Sequence, residues 1–473
     1  MASLAILLAA CSSSSVASSG GFEPPRDRAA IDTVRMRTDT RVLSHDSLGG
    51  RGTGSPGARA AAWYIAARMQ ELGLEPIGGG DARVAGAFLL PVPLVRAELS
   101  RATLALPGSP PLRHGAGWVA GRIGRAGLRA AAGTVRALGS DSATIVAGSW
   151  VLVDGPLGEA AARWLPVWRE GGATGVIVRL ANDATVDAYR AQLGDVRWML
   201  AAAEPDAIWQ PDLPVLMVGP TLADRLLEAN AQAVFEPDAR TDTVTDFDVA
   251  GLLRGRGTHA DELVVLTAHY DHLGIVPGTG AADSIFNGFS DNAAGVAMLL
   301  AIAGAASEDP PARSLLFLFP AAEESGLLGS LHFVRRHRDL VERTHAVLNL
   351  DAGAPPAPPT RWRLAAASRS WAGEVAAAVV ESRGWSHRSD PGSPNSDHWP
   401  FVAEGVPAVF LIPDAGYENT TEAEAAALRE RWDRYHHPDD EWHPDFPFAG
   451  LERYATLARD IAYALARSGP PRR

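Results

Sequence analysis

Leu263-Val264-Val265-Leu266-Thr267-Ala268-His269-Tyr270-Asp271 sets the terms on which the rest of the chain is read. The run from Leu263 to Thr267 has no alternation of polar and apolar residues, so it reads as a strand buried on both faces. An imidazole and a carboxylate follow it, two residues apart. The same grammar returns further on: Ser314 to Phe319 leads to Glu323-Glu324, and Ala346 to Leu350 leads to Asp351. Val406 to Ile412 is another strand-length apolar run.

Helical spacing fills the gaps, over Asn292 to Ala306, Gly326 to His337 and Trp371 to Arg383, with a last helix, Ala449 to Ala466, packed outside. Apolar strands divided by helices predict an α/β fold, a mixed but mostly parallel sheet covered by helices on both faces. Ligands of such sheets bind beyond the carboxyl ends of the strands. Three strand exits therefore bring metal-type side chains to one edge.

Outward from this block the texture changes. Residues 95–243 carry short runs rich in Val, Leu and Ile, such as Ser149 to Val153, Gly175 to Val178 and Leu213 to Val218, separated by Gly, Pro and Asp, with no cluster of His and carboxylates. Before them, Gly49 to Gly57 is a glycine-rich loop followed by a helix over Ala60 to Leu72. No strand precedes those glycines and no Gly-Lys-Ser/Thr follows, so they read as a structural turn rather than a phosphate cradle. The expected division is a signal and tether over 1–20, an N-terminal part of the main domain over 21–94, an insert over 95–243 and the main part over 244–473.

The 473 residues exceed one ordinary core, and a hydrophobic share of 47% is that of a globular chain. With 43 basic and 55 acidic residues the net charge is −12, which argues against nucleic acid or an anionic membrane surface as partner. Cys11 is the single cysteine, so no intrachain disulfide and no thiolate cage can form, and any metal must sit on His, Asp or Glu. Leu8-Ala9-Ala10-Cys11 after an apolar stretch resembles a bacterial lipoprotein signal. That reading implies export and a lipid anchor at Cys11 in the cell envelope, the chain's one link to a membrane. No later stretch is expected to be apolar for long enough to span a bilayer.

His269, Asp271, Asp291, Glu323, Glu324, Asp351 and His436 form a set suited to two zinc ions, which need imidazole and carboxylate donors with one carboxylate shared. Each alone has a plainer reading. Asp291, in Asn287-Gly288-Phe289-Ser290-Asp291-Asn292, could cap a helix. Adjacent glutamates usually face solvent, yet Glu323-Glu324 end a buried-type strand, where one could bind metal while the other accepts a proton. In Tyr435-His436-His437-Pro438, His437 competes with His436.

Taken in order, the motifs resemble the co-catalytic di-zinc exopeptidases of the twenty-eighth metallopeptidase family, of the aminopeptidase S and aminopeptidase Y types. The matching stretches are Gly50-Arg51-Gly52-Thr53-Gly54, Thr267-Ala268-His269-Tyr270-Asp271-His272-Leu273-Gly274, Gly288 to Gly295, Ala322 to Ser330, Asn349-Leu350-Asp351 and Ser396-Asp397-His398-Trp399-Pro400-Phe401. The resemblance implies the zinc exopeptidase (phosphorylase/hydrolase-like) fold, and the 95–243 segment resembles the β-rich protease-associated insert. It implies that Asp291 bridges two Zn2+, that His269 and Asp351 complete one site and Glu324 and His436 the other. Glu323 would be the general base, Asp271 would orient His269, and Tyr435 would donate to the oxyanion. A cis peptide is implied at Asp291-Asn292.

Ser290 departs from the second Asp of many relatives, at a position that is not a ligand. The implied activity is hydrolysis of N-terminal residues from peptide substrates. A glutaminyl cyclase, a carboxypeptidase using an arginine such as Arg361, Arg383 or Arg388, and a non-catalytic receptor on the same scaffold remain the alternatives.

Overall fold

The computed structural model describes residues 29–469 apart from 79, 122–124, 138–146, 156–157, 203–212, 229–230, 277–282 and 369. The signal-like segment and Cys11 lie outside the described residues. The main sheet contains, in chain order, β1 (Leu89–Glu98), β2 (Val196–Leu200), β3 (Arg240–Leu253), β4 (Leu263–Thr267), β5 (Ser314–Phe319), β6 (Thr344–Asn349), β7 (Arg361–Ala365), β8 (Ser386–Ser389) and β9 (Ala408–Pro413). Across the sheet the order is β8-β7-β9-β6-β4-β5-β3-β1-β2, with the short strand Glu75–Pro76 on β3.

The sheet is mixed, and parallel pairing is narrower than the sequence predicts. It is confined to β4 with β5 and β6, β6 with β9, and β7 with β8. β3 runs antiparallel to both β5 and β1, β1 to β2, and β7 to β9. The reason is connectivity. β1 and β3 are the two legs of chain that leave and re-enter the main sheet around the segment between them, and such legs need no helical crossover. Both strands run across the expected boundaries at 94/95 and 243/244, and β2, from inside that segment, returns to the main sheet.

The rest of the segment builds a second, eight-stranded sheet. Its centre is parallel, Ala131–Ala137 beside Ser149–Asp154 beside Gly175–Arg179 beside Val215–Val218. It has its own interior, with Trp118, Trp150 and Phe235 fully buried. Arg197 of β2 stitches the two sheets. Its buried guanidinium donates to the carbonyls of Ala120, Gly121 (3.0 Å), Gly194 (3.1 Å) and Val196 (2.7 Å).

Helices cover the main sheet: α1 (Thr33–Leu43), α2 (Pro56–Glu71), α3 (Ala294–Glu308), α4 (Leu328–Arg336), α5 (Trp371–Ser382) and α6 (Ala449–Arg467). α3 is apolar on every side because α1 and α6 pack outside it and the sheet lies beneath. The stretch Phe289–Glu308, 20 residues, is in fact long and apolar enough to cross a membrane by composition, against the sequence expectation, but it is buried in this core.

Candidate metal centre

β4 lies between β5 and β6, and the three strands end level, with Thr267 paired to Leu318 on one side and Asn349 on the other. The chain leaves β4 toward β5 on one side and leaves β6 toward β7 on the other, which makes this edge a switch point of the sheet. His269, Glu323, Glu324 and Asp351 emerge there together. Asp291 arrives from the irregular turn ahead of α3, where the Asp291-Asn292 peptide is cis. Asn292 binds that turn to the exit of β6, its Nδ2 donating to Leu350 O at 3.0 Å while its Oδ1 accepts from Gly295 N at 3.0 Å.

Two groups of donors result, and Asp291 belongs to both. In one, His269 Nε2 lies 3.2 Å from Asp291 Oδ1 and 2.8 Å from Asp351 Oδ1. In the other, His436 Nε2 lies 3.1 Å from Asp291 Oδ2 and 3.3 Å from Glu324 Oε1, and His272 Nδ1 lies 2.8 Å from the same Glu324 oxygen. His436, in a left-handed backbone conformation (φ 53°), is the imidazole brought in from its loop. His437 instead faces outward and caps Asp439 N at 3.1 Å. Glu323 is buried beside both groups and is a member of neither.

The electrostatics fit metal ions. Burial alone would lower both imidazoles, yet Asp351 and Glu323 raise His269 well above its ordinary value, and Asp291 and Glu324 raise His436 to about 10. Buried rings pulled toward the charged form mark positions that favour a cation. Burial and Asp291 push Glu324 upward, but its contacts with His272 and His436 bring it down to about 2; Asp291 is likewise held well below the carboxylate range by His269 and His436 against the effect of burial. Both are ionised donors. Glu323 goes the other way, raised well above the usual range by burial first, then by Asp351, Glu324 and Asp397 against the pull of His269.

Support comes from residues behind the donors. His269 Nδ1 donates to the Asp271 carbonyl at 3.1 Å, which leaves Nε2 bare for a metal; the Asp271 carboxylate is farther, at 3.7 Å. That carboxylate accepts instead from Glu323 N at 3.0 Å and Glu324 N at 3.4 Å. Asp271 thus holds His269 through its backbone and the glutamate pair through its side chain. Ser396 donates to Asp351 Oδ2 at 2.5 Å and accepts from Asn349 Nδ2 at 2.7 Å. Asp440 accepts from Ser290 N at 2.9 Å and Asp291 N at 3.2 Å, tying the Asp291 turn to the loop that bears His436.

The glycine-rich loop reads as the turn that was expected. Arg51 runs inward from it, fully buried, and donates to the carbonyls of Leu43, Tyr270 (2.6 Å), Asn287 (2.6 Å) and Gly288 (2.9 Å). Burial lowers its pKa to about 10, so it stays charged. Tyr435 is 68% exposed and stacks on His436 with ring centres 3.9 Å apart. Of the arginines named from sequence, Arg383 pairs with Asp460 and Arg388 with Asp414 and Asp390, while Arg361 lies against Gly416.

His272, Asp440 and Ser396 are the contributors that sequence reasoning passed over. The second histidine of His269-Tyr270-Asp271-His272 was the available signal for the first. Nothing local marks Asp440, whose partners are 149 and 150 residues away.

The fold is thus a mixed sheet that carries two candidate metal-binding clusters of imidazoles and carboxylates at one edge. Residues 248–460, which hold every donor, match the family described as Peptidase family M28. The segment is homologous to that family. In sequence, the chain is 26% identical over 205 residues to aminopeptidase YwaD of Bacillus subtilis (strain 168), a match covering 41% of this chain and 40% of that relative.

In structure, it is similar to the aminopeptidase from Aneurinibacillus sp. strain AM-1, with a TM-score of 0.58, 19% identity and coverage of 93% of this chain and 95% of that one. It is also similar to BSAP, a zinc aminopeptidase from Bacillus subtilis, at 0.52, 19%, 92% and 95%. The fold extends over nearly the whole length.

Proposed function

We propose that the chain is a zinc-dependent aminopeptidase that hydrolyses N-terminal residues from peptides. The observation that carries this reading is the pair of donor clusters sharing Asp291, with Glu323 buried beside both and bound into neither. His269 and Asp351 would hold one ion, Glu324 and His436 the other, and Asp291 would bridge them. Two zinc ions so held supply Lewis acidity, polarising a peptide carbonyl and acidifying water. Glu323 takes the proton from the attacking water and delivers it to the departing amine.

Asp271 keeps Glu323 in place through the backbone bond at 3.0 Å. Tyr435, exposed and stacked on His436, would donate to a developing oxyanion. The excess of carboxylates suits a cationic α-amine, and the pairing of Arg383 and Arg388 with Asp side chains disfavours a carboxypeptidase. The second sheet is assigned as the protease-associated insert, on its place between β1 and β3. Export with a lipid anchor at Cys11 completes the reading and rests on sequence alone.

The test is a panel of free, N-blocked and C-blocked dipeptides and an N-terminal Gln peptide, assayed with zinc and after chelation. Zinc-dependent cleavage of free N-termini alone is expected. Cleavage of N-blocked peptides, or cyclisation of the Gln peptide, would replace the assignment.

A further inference from the structure

His272 has a position that the five-donor scheme leaves unused. It leaves the β4 exit three residues after His269, and its imidazole turns to the opposite side of Asp291. Nδ1 lies 2.8 Å from Glu324 Oε1 and 3.7 Å from Asp291 Oδ2, the same two carboxylates that His436 Nε2 approaches at 3.3 and 3.1 Å. Donors bound tetrahedrally at zinc distances of about 2.0–2.1 Å stand roughly 3.3–3.4 Å from one another, and the two His272 contacts bracket that spacing. One atom from each of His272, Asp291, Glu324 and His436 lies within 4.8 Å of all the others.

The ring is also held where it is. His272 is 1% exposed, and its edge fills the space over Gly288, where an added Cβ would come within 2.7 Å of it. Its Nε2 is buried with no hydrogen-bond partner among the described residues, so no competing contact draws the ring toward another role.

We infer that His272 is a ligand of the metal held by Asp291, Glu324 and His436. The inference rests on the two-metal reading above and makes the two positions unequal. One has four protein donors, two imidazoles and two carboxylates; the other has three, His269, Asp291 and Asp351. A position filled by four protein donors resembles a closed, structural site, and a three-donor position keeps a place open. The first ion therefore loads at the His272 position and leaves last, and the open coordination belongs to the His269 and Asp351 side.

Two measurements on the full-length protein test this. Zinc content is followed across graded zinc and chelator buffers for wild type, His272→Ala and His272→Asn. Asn can keep a hydrogen bond to Glu324 from the place of Nδ1, but it supplies no imidazole. Wild type should lose its two ions in two steps, and both variants should weaken the tighter step by at least about tenfold, the lower range for losing support at a metal site.

X-ray absorption on wild type loaded with one equivalent of zinc then counts imidazoles without any variant, and two per zinc are expected, from His272 and His436. One imidazole per zinc, or recovery of wild-type affinity by His272→Asn, would reduce His272 to an orienting hydrogen bond and overturn the inference. Fewer than two zinc ions in wild type would instead overturn the two-metal reading, and the inference with it.

Discussion

Glu323 and Glu324 are adjacent, share a strand exit, and differ in everything that matters chemically. Glu324 is pinned between two imidazoles and held near 2, whereas burial, with Asp351 and Glu324 beside it, shifts Glu323 upward. Glu323→Gln is expected to keep both zinc ions by elemental analysis and to lower kcat at least about a hundredfold. Near-normal turnover would remove Glu323 from the proton path.

His398 makes a second prediction at this scale. Its ring is fully buried against Phe410, neither nitrogen has a partner among the described residues, and burial pushes its pKa down to about 3 from an ordinary 6.5. The folded state keeps the ring neutral while the unfolded chain protonates it. Its contribution is thus intact above about pH 6.5 and is lost as pH falls toward about 3, at about 1.4 kcal/mol per pH unit. Denaturant unfolding of wild type and His398→Phe between pH 7 and 4.5 should show a stability difference that shifts in the variant's favour as pH falls. A difference independent of pH would show that the ring is not held neutral.

At the scale of elements, the centre depends on a close fit between the start of α3 and the end of β6. A Cβ on Gly295 would lie 2.1 Å from Asn292 Oδ1 and 2.5 Å from Leu350 O. Gly295→Ala must therefore break the Asn292 bridge or push α3 off the sheet, and it is expected to cost about 1–3 kcal/mol in denaturant unfolding and to weaken zinc binding. Unchanged stability with unchanged zinc affinity would mean that the bridge does not position Asp291.

The strands at this edge were legible in the chain, since Leu263–Thr267 and Ser314–Phe319 are unbroken apolar runs. From its own residues the turn carrying Asp291 was legible as a helix mouth, and the cis peptide there came only from the family resemblance. Its shape comes from Asp440 and Leu350, which are distant in sequence. The direction of pairing was harder still: residues in β1 and β3 show no local sign of running antiparallel, because that follows from where the chain goes between them.

For the molecule as a whole, Arg197 links the second sheet to the first by donating to carbonyls around Ala120, Gly121 and Gly194. Arg197→Met keeps the bulk but strands these carbonyls, each at about 1–3 kcal/mol. Hydrogen exchange should show the strands around Trp118 and Val215 opening more readily while β4, β5 and β6 keep their protection. Loss of protection in both sheets together would mean that they unfold as one unit.

The amino-acid order settled the α/β class and placed five metal-type donors, because strand exits and short motifs are local and each strand ends where its apolar run ends. It also separated a segment with no cluster of His and carboxylates from the part that carries the site. The tertiary structure alone decided that the Asp271 carboxylate serves the glutamates and that His272 faces Glu324. Those outcomes depend on angles between segments distant in the chain, and no local pattern of residues encodes such an angle.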